Sequence, residues 1–188
     1  MILEVVQYGH PVLRQKGERV EAVTPPIQKL IADMLETMHA AKGIGLAAQQ
    51  VGRALQLTVI DVRDVTDRPS TMAVDGAPVS VERHMPVVLL NPELTPTGPP
   101  ATGPEGCLSF PEVFADITRP ESVQVRAMNE KGERIEFHCG GLLARAVQHE
   151  TDHLHGILFI DRMSREVKLE LKPELDALQK ATKATLKK

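Results

Sequence analysis

Two histidines four residues apart, with a glutamate directly after the first, are the residues of this sequence best suited to chemistry. They are His149, Glu150 and His153, within residues 148–153 (QHETDH). On an α-helix, residues four apart lie one turn apart on the same face, so both imidazoles can face one metal ion. Glu150 is turned about 100° from His149 and can reach a water on that metal. A divalent metal lowers the pKa of bound water from about 16 towards 7, and the carboxylate can accept the proton.

The residues before this motif indicate that its helix is packed inside a domain. Apolar side chains recur with helical spacing in residues 142–147, after a glycine pair, Gly140 and Gly141, that marks the helix start. An H-E-x-x-H match on an exposed helix could be an accident. Buried imidazoles, in contrast, need polar partners, and a metal ion would supply them.

The composition is that of one globular domain. The chain has 188 residues, 25% charged residues and a net charge of −3, so we expect a single domain over residues 1–188. This balance indicates neither a sequence-specific nucleic-acid surface nor a membrane surface. No apolar run approaches the roughly 20 residues of a membrane span. The first residues have no basic region followed by an apolar core, so a signal peptide is not expected, and two cysteines make no disulfide framework. We therefore expect a cytoplasmic protein.

Helical and extended patterns alternate along the rest of the chain. A helix is expected to begin after Thr24, as its N-cap, and to end near Gly43. Residues 63–85 are polar and have the character of an irregular or hairpin excursion. Residues 96–104 contain too many prolines and glycines for regular structure. Strands are expected in four segments, the last two as a hairpin: residues 55–62, 87–90, 123–128 and 134–138.

Two further stretches allow more than one interpretation. Residues 43–50 (GIGLAAQQ) could be backbone that turns sharply or approaches another group closely, or they could form a short packed helix. A phosphate-binding loop fits poorly, because no Lys-Ser/Thr follows and no strand precedes it. Cys107, in residues 105–109 (EGCLS), could be an inert buried thiol or a thiolate that completes a His-His-Cys metal site.

Taken together, these three stretches resemble one family, the peptide deformylases. Residues 43–50, 105–109 and 148–153 match the motifs of that family at every defining position and in the same order. Residues 8–14 and 159–164 also resemble the family, so the resemblance spans nearly the whole chain. Three coordinated motifs are far more specific than one, and they favour the ligand interpretation of the cysteine.

The resemblance implies a hydrolase that removes the formyl group from an N-formylmethionyl peptide and releases formate. Glu150 would take a proton from the attacking water and pass it to the leaving amine. The Gln50 side-chain amide and the Leu108 backbone N–H would stabilise the oxyanion. Three residues would bind the metal and leave a fourth position for water: Cys107, His149 and His153.

The resemblance also implies how a peptide would bind. Ile44 and Gly45 would pair with an extended peptide through their backbone. Leu142 and Ala146, on the helix that carries His149 and His153 (the metal helix), would form one wall of the methionine pocket, with Phe114 nearby. Three charged residues could either support the metal ligands and the oxyanion donor or form exposed ion pairs: Glu105, Arg119 and Asp152. Arg145, one residue before the pocket wall, departs from relatives that have an apolar residue there.

The metal and the partners follow from the same resemblance. A His-His-Cys site suits Fe²⁺, Zn²⁺, Co²⁺ or Ni²⁺, and the family favours Fe²⁺ as the native ion, with the others as substitutes. The expected partners are N-formylmethionyl nascent peptides, and the ribosome near its exit tunnel is a further candidate. Neither a membrane nor sequence-specific nucleic acid is expected.

The expected fold class is α+β. Short, mainly antiparallel strands would pack around the central metal helix, with an N-terminal helix and a C-terminal helix opened by Pro173 and spanning about residues 173–186. Two rival functions use the same histidines. A zinc endopeptidase would take its third ligand downstream, from Glu166 or Glu170. A structural metal domain would close its site with Cys139 or His155.

Overall fold

Three α-helices and a seven-stranded sheet make up the computed structural model, which describes residues 1–188. The helices are α1 (Pro25–Ala40), α2 (Gly141–Leu154) and α3 (Arg165–Leu186). The strands are β1 (Gly45–Ala47), β2 (Leu57–Ile60), β3 (Ser70–Val74), β4 (Ala77–Pro78), β5 (Val87–Cys107), β6 (Phe110–Met128) and β7 (Arg134–Gly140). All pairs between these strands are antiparallel, in the order β1-β2-β5-β6-β7-β3-β4. This arrangement confirms the predicted α+β class. None of the three helices is long and apolar enough to cross a membrane.

Helix α2 lies at the centre of the fold, as its apolar spacing predicts. It contacts strands β1, β2, β3, β6 and β7. Its Leu143 and Val147 are fully buried in a core cluster with residues of three strands, Leu89, Val125 and Phe137. Each such side chain contributes roughly 1.5–3 kcal/mol through its burial. This packing places the face of α2 that carries both histidines against the edge of the core.

The predicted excursion at residues 63–85 contains the hairpin β3–β4. β3 pairs with β7, where Met72 lies opposite Cys139. The excursion therefore widens the sheet at its far edge and packs beside α2. The sequence did not indicate this role.

The chain leading into β3 also caps α2. The first backbone N–H groups of a helix have no partner within it. Here the Leu142 N–H donates to the Pro69 carbonyl at 2.9 Å, and the Leu143 N–H donates to Ser70 Oγ at 3.0 Å. Gly141 has a φ of 67°, and a Cβ at this position would overlap the Pro69 carbonyl oxygen. A glycine is therefore required where α2 begins.

The predicted end of the strand at residues 87–90 is wrong, and so is the predicted loop at 96–104. β5 continues to Cys107 and pairs with β6 along this length. Pro92 and Pro99 fall within two register shifts of the ladder, where a missing N–H costs no ladder hydrogen bond. Beyond the segment that pairs with β2, strand β5 pairs only with β6, and its other edge is open. The remaining prolines can therefore turn their nitrogens to the open side.

The predicted start of the C-terminal helix at Pro173 is also wrong. α3 begins at Arg165, after the N-cap Ser164, whose Oγ accepts a hydrogen bond from the Val167 N–H at 3.3 Å. Pro173 lies inside the helix and leaves the Leu169 carbonyl without its intrahelical donor. Since Leu169 is exposed, water can satisfy this carbonyl, and the helix continues past the proline.

Two other elements follow their predictions closely. α1 begins directly after Thr24 and ends at Ala40, three residues before Gly43. The hairpin expected from residues 123–128 and 134–138 is present as the β6–β7 pair. Both segments have strong local signals, namely helical apolar spacing in the first and alternation around a turn in the second.

Candidate metal centre

The end of β5 and one face of α2 bring three potential metal ligands together. Cys107 is the last residue of β5, and His149 and His153 lie one turn apart on α2. Their ligand atoms all lie within 4.8 Å of one another, and Cys107 Sγ is 3.5 Å from His153 Nε2. Both imidazoles are buried. A thiolate and two imidazoles that converge from three directions suit a transition-metal ion with an open coordination position.

The state of His153 fits metal binding. Burial, together with the neighbouring His149, lowers the pKa of His153 well below its usual value. The imidazole is therefore neutral, which is the form that binds metals. Its Nδ1 is buried without a hydrogen-bond partner. The other ring nitrogen, Nε2, is the one that faces Cys107 Sγ and is therefore the nitrogen available to a metal.

Glu150 lies beside the cluster without joining it. Its Oε1 is 4.0 Å from His149 Nε2, and its Oε2 is buried without a hydrogen-bond partner. Burial raises the pKa of Glu150 to about 7, and a divalent cation bound nearby would lower it. The carboxylate packs tightly on β1, because a Cβ added to Gly45 would lie 2.5 Å from Glu150 Oε1. This strand therefore needs a glycine opposite the carboxylate.

The stretch 43–50 combines both interpretations that its sequence allows. It forms the close-packed strand β1 and then a short 3₁₀ helix that carries Gln50. The Gln50 side chain is buried, and its Oε1 accepts a hydrogen bond from the Ala47 N–H at 2.9 Å. Its Nε2 donates to Cys107 Sγ at 3.4 Å and to Ser109 Oγ at 3.2 Å. The amide is thus held with its donor side towards the ligand cluster.

A buried charge network supports His149 from behind. His149 Nδ1 lies 2.8 Å from Glu105 Oε1, and Arg119 forms two hydrogen bonds with Glu105, at 2.6 and 3.0 Å. Arg119 also pairs with Asp152 at 2.9 Å. Burial tends to raise the pKa of Glu105, but hydrogen bonds from His149 and Arg119 outweigh it and hold that pKa at about 2. Glu105 and Arg119 are almost fully buried, so they do not form an exposed ion pair.

Two residues of this site were not predicted from the sequence. Ser109 contacts the Gln50 amide, and Arg145 donates to Glu105 Oε2 at 2.8 Å. In the sequence, Arg145 stands out only as a polar residue beside the pocket wall. Its position one turn before His149 is the feature that could have indicated a place near the metal ligands, since residues four apart share a helix face.

A cavity of about 440 Å³ opens beside the ligand cluster. Cys107, His149 and Glu150 are among its lining residues. Phe114, whose side chain is 70% exposed, lies at its rim against Gly106. Leu108 also contributes to the lining. All five residues that the resemblance assigned to substrate binding line this cavity: Ile44, Gly45, Phe114, Leu142 and Ala146.

The ligands required by the two rival functions lie elsewhere. Glu166 and Glu170 are exposed on α3 and do not belong to the ligand cluster. Cys139 belongs to β7 and is buried in the core, where burial raises the pKa of its thiol to about 12. His155 is exposed after the end of α2. The cluster therefore has three protein ligands and no fourth.

Comparison with known proteins identifies relatives along nearly the whole chain. A family model described as polypeptide deformylase matches residues 2–169. A peptide deformylase of Opitutus terrae is 44% identical over 189 residues, covering 100% of this chain and 98% of that protein. A peptide deformylase of Methylacidiphilum infernorum is 45% identical over 180 residues, covering 96% of this chain and 94% of that protein.

Solved structures agree with the sequence relatives. The crystal structure of a peptide deformylase from Legionella pneumophila matches with a TM-score of 0.80 at 32% identity, over 96% of this chain and 97% of that one. That of peptide deformylase 1B from Arabidopsis thaliana matches with a TM-score of 0.83 at 35% identity, over 97% and 93%. Since sequence and fold agree over this length, the chain belongs to the polypeptide deformylase family.

Proposed function

We propose that this protein is a metal-dependent hydrolase that removes the formyl group from N-formylmethionyl nascent peptides and releases formate. The observation that carries this proposal is the cluster of Cys107, His149 and His153, with Glu150 beside it, next to a cavity that Cys107, His149 and Glu150 line. Membership of the deformylase family supports the choice of substrate.

Cys107, His149 and His153 would hold one divalent ion. When bound, this ion activates a water molecule and polarises the formyl carbonyl. We propose Fe²⁺ as the native ion, with Zn²⁺, Co²⁺ or Ni²⁺ able to replace it, since a thiolate with two imidazoles accepts all four. The thiol of Cys107 is open to oxidation, so the protein should be purified without oxygen.

Glu150 would act as the general base and then as the general acid. Its carboxylate takes a proton from the attacking water and delivers it to the amine that leaves with the peptide. Two features support this role: Oε2 has no hydrogen-bond partner in the protein, and the carboxylate is held in place against β1. A free, oriented carboxylate oxygen can exchange a proton without first breaking another bond.

Gln50 and Leu108 would stabilise the negative charge that develops on the formyl oxygen. The Gln50 amide is already oriented, because its oxygen is engaged by the Ala47 N–H and its Nε2 lies near Cys107 Sγ. The Leu108 N–H directly follows Cys107 in the chain. Donors fixed before the reaction begins stabilise a developing oxyanion without having to reorient.

Replacing Gln50 with alanine should lower kcat by about 10²–10³-fold, the usual loss for one oxyanion donor. KM and bound metal should change much less, because Gln50 is not itself a ligand. The matched control is Gln49→Ala: Gln49 is equally buried but donates to the Gln15 carbonyl, away from the ligands. Steady-state kinetics and metal analysis of both variants check this. A defect in KM alone would contradict the oxyanion role.

The peptide would bind along β1, which is one of the two edge strands of the sheet. The Ile44 carbonyl accepts a hydrogen bond from the Asp61 N–H at 2.9 Å, so we propose that Ile44 contributes its N–H to the peptide and not its carbonyl. Backbone groups alternate in direction along a strand, so those of Gly45 face the open side and can pair with an added strand. The methionine side chain would then enter the cavity between Leu142 and Ala146, and Phe114 at the rim would contact the residues that follow.

Replacing Gly45 with alanine should lower kcat by roughly 10–100-fold, because the new methyl group displaces the Glu150 carboxylate. The added Cβ would lie 2.5 Å from Glu150 Oε1, closer than packed atoms allow. Bound metal should stay at the wild-type level. Kinetics with a formylated dipeptide, beside metal analysis, measure both quantities. Wild-type kcat in a folded Gly45→Ala protein would mean that the carboxylate position is not critical.

The nature of the substrate suggests where the protein acts. Formylated nascent peptides emerge from ribosomes, so we propose that the protein works in the cytoplasm as a single catalytic domain, close to the ribosomal exit tunnel. We propose no role for a membrane or for sequence-specific nucleic acid, since the net charge of −3 offers no general attraction to anionic surfaces.

Product analysis tests the proposed reaction against the peptidase alternative. Formyl-Met-Ala should yield formate and intact Met-Ala in equal amounts. Free methionine or alanine should not accumulate, and unformylated Met-Ala should remain uncleaved. Cleavage between methionine and alanine, without formate, would overturn the proposal in favour of a peptidase.

A further inference from the structure

Arg145 makes an unusual set of contacts for a residue on the substrate cavity. Its side chain is only 11% exposed. Nη1 donates to Glu105 Oε2 at 2.8 Å and to the Ile117 carbonyl at 2.7 Å, and Nη2 donates to the Ala101 carbonyl at 2.9 Å. These acceptors belong to β5 and β6. One side chain of α2 thus donates three hydrogen bonds to the β5–β6 hairpin, whose first strand, β5, ends at Cys107.

The carboxylate that Arg145 contacts is the one that orients a metal ligand. Glu105 Oε1 is 2.8 Å from His149 Nδ1, which leaves His149 Nε2 for a metal. Glu105 Oε2 is shared between Arg145 and Arg119. Glu105 also precedes Cys107 by only two residues on β5. The position of this one carboxylate therefore affects two of the three ligands.

The two arginines hold α2 on either side of His149. Arg145 lies one turn before His149 and is tied to both strands of the β5–β6 hairpin. Asp152 lies just under one turn after it and is tied to Arg119 of β6 at 2.9 Å. A helix fixed at both points has little freedom to slide or rotate relative to the strand that carries Cys107.

We propose that Arg145 is a positioning residue for the metal ligands. It fixes the Glu105 carboxylate that orients His149, and it holds α2, with both histidines, in register with Cys107. This inference rests on the metal site of the proposed function. Removing a residue that hydrogen-bonds to a metal ligand typically changes metal affinity by 10–100-fold. The effect of Arg145 should therefore be measurable as a change in metal binding.

The alternative is that Arg145 acts only as a polar wall of the cavity, which it also lines. A wall residue would influence which first side chain of the peptide is accepted. It would not influence how fast the protein loses its metal. The two roles therefore differ in a property that needs no substrate at all.

The test uses the zinc-loaded full-length protein and follows the transfer of Zn²⁺ to an excess of chelator. Arg145→Leu should lose Zn²⁺ at least about tenfold faster than the wild type does. Its Co²⁺-loaded form should show altered visible absorption bands, which report ligand geometry. Arg145→Lys keeps the charge but replaces the two donor nitrogens of the planar guanidinium with a single ammonium nitrogen. It should fall between Arg145→Leu and the wild type, and it carries the test if Arg145→Leu does not fold.

Gln148→Leu is the matched control. Gln148 Nε2 also ties α2 to β6, through the Pro120 carbonyl at 2.9 Å, but it does not contact Glu105. This variant should lower the melting temperature without changing the rate of Zn²⁺ loss. A lower melting temperature together with wild-type Zn²⁺ loss in the Arg145 variants would overturn the positioning role. The positioning role would also be overturned if the Arg145 variants changed the preference between formyl-Met and formyl-Leu peptides but lost Zn²⁺ at the wild-type rate.

The same experiment separates this inference from the proposed function. If the wild type deformylates and Arg145→Leu loses Zn²⁺ at the wild-type rate, only the positioning role is wrong. If Cys107→Ala leaves Zn²⁺ binding unchanged, the metal site itself is wrong, and the inference falls with it.

Discussion

Replacing Glu150 with glutamine should lower kcat by about 10³-fold or more while the protein keeps its metal. Glutamine has the same shape as glutamate but cannot accept the proton that the reaction must move, and general acid–base groups typically contribute 10²–10⁴-fold. Metal binding should persist, because Glu150 Oε1 lies 4.0 Å from His149 Nε2 and outside the cluster of three ligands.

Metal analysis and kinetics on the same preparation check this prediction. Glu166→Gln, on the exposed surface of α3, is a control that should behave like the wild type. Loss of metal from Glu150→Gln would show that Glu150 is a ligand and not the base. Retention of both metal and activity would require a different base.

Replacing Cys107 with alanine should remove metal and activity together. The site would keep only two protein ligands, and its metal affinity should fall by more than about 100-fold, beyond the loss typical of supporting residues. Deformylation should become undetectable at metal concentrations that saturate the wild type.

Cys139→Ala separates this effect from general damage to the fold. Cys139 is fully buried in the core and is not part of the ligand cluster. Its replacement should lower the melting temperature modestly and leave metal binding intact. If Cys107→Ala bound metal as tightly as the wild type, a third ligand from elsewhere would be needed, as in the endopeptidase alternative.

The parts of the site that were predictable from the sequence are those fixed by local geometry. The spacing of His149 and His153 places both on one face of any helix, and the apolar residues before them predict that this helix is buried. Glu150 follows from the same short motif. In each case the residue pattern and the local backbone decide the outcome.

The position of Cys107 could not be derived in this way. It lies 42 residues before His149, and only the pairing of β5 with β6 brings it to α2. Family resemblance, and not geometry, supplied it in advance. The roles of Arg145 and Ser109 could not be derived for a similar reason, because these roles consist of contacts with residues distant in sequence.

Proline caused the two errors in the elements. The stretch at 96–104 has the composition of a loop, yet it forms part of β5, because interrupted pairing and an open edge tolerate missing N–H groups. Local rules predict that a helix begins at Pro173, but α3 continues on both sides of it, because water can satisfy the exposed carbonyl that the proline leaves without a donor. In both cases the environment created by other strands or by solvent decided the outcome.

The most direct test of the account is formate release from formyl-Met-Ala as a function of bound metal. The protein is purified without oxygen, stripped with a chelator and reloaded with Fe²⁺. We predict that stripping abolishes formate release and that reloading restores it in proportion to Fe²⁺, up to one ion per chain. Formate release that survives complete removal of the metal would contradict the account, as would a fully loaded protein that releases none.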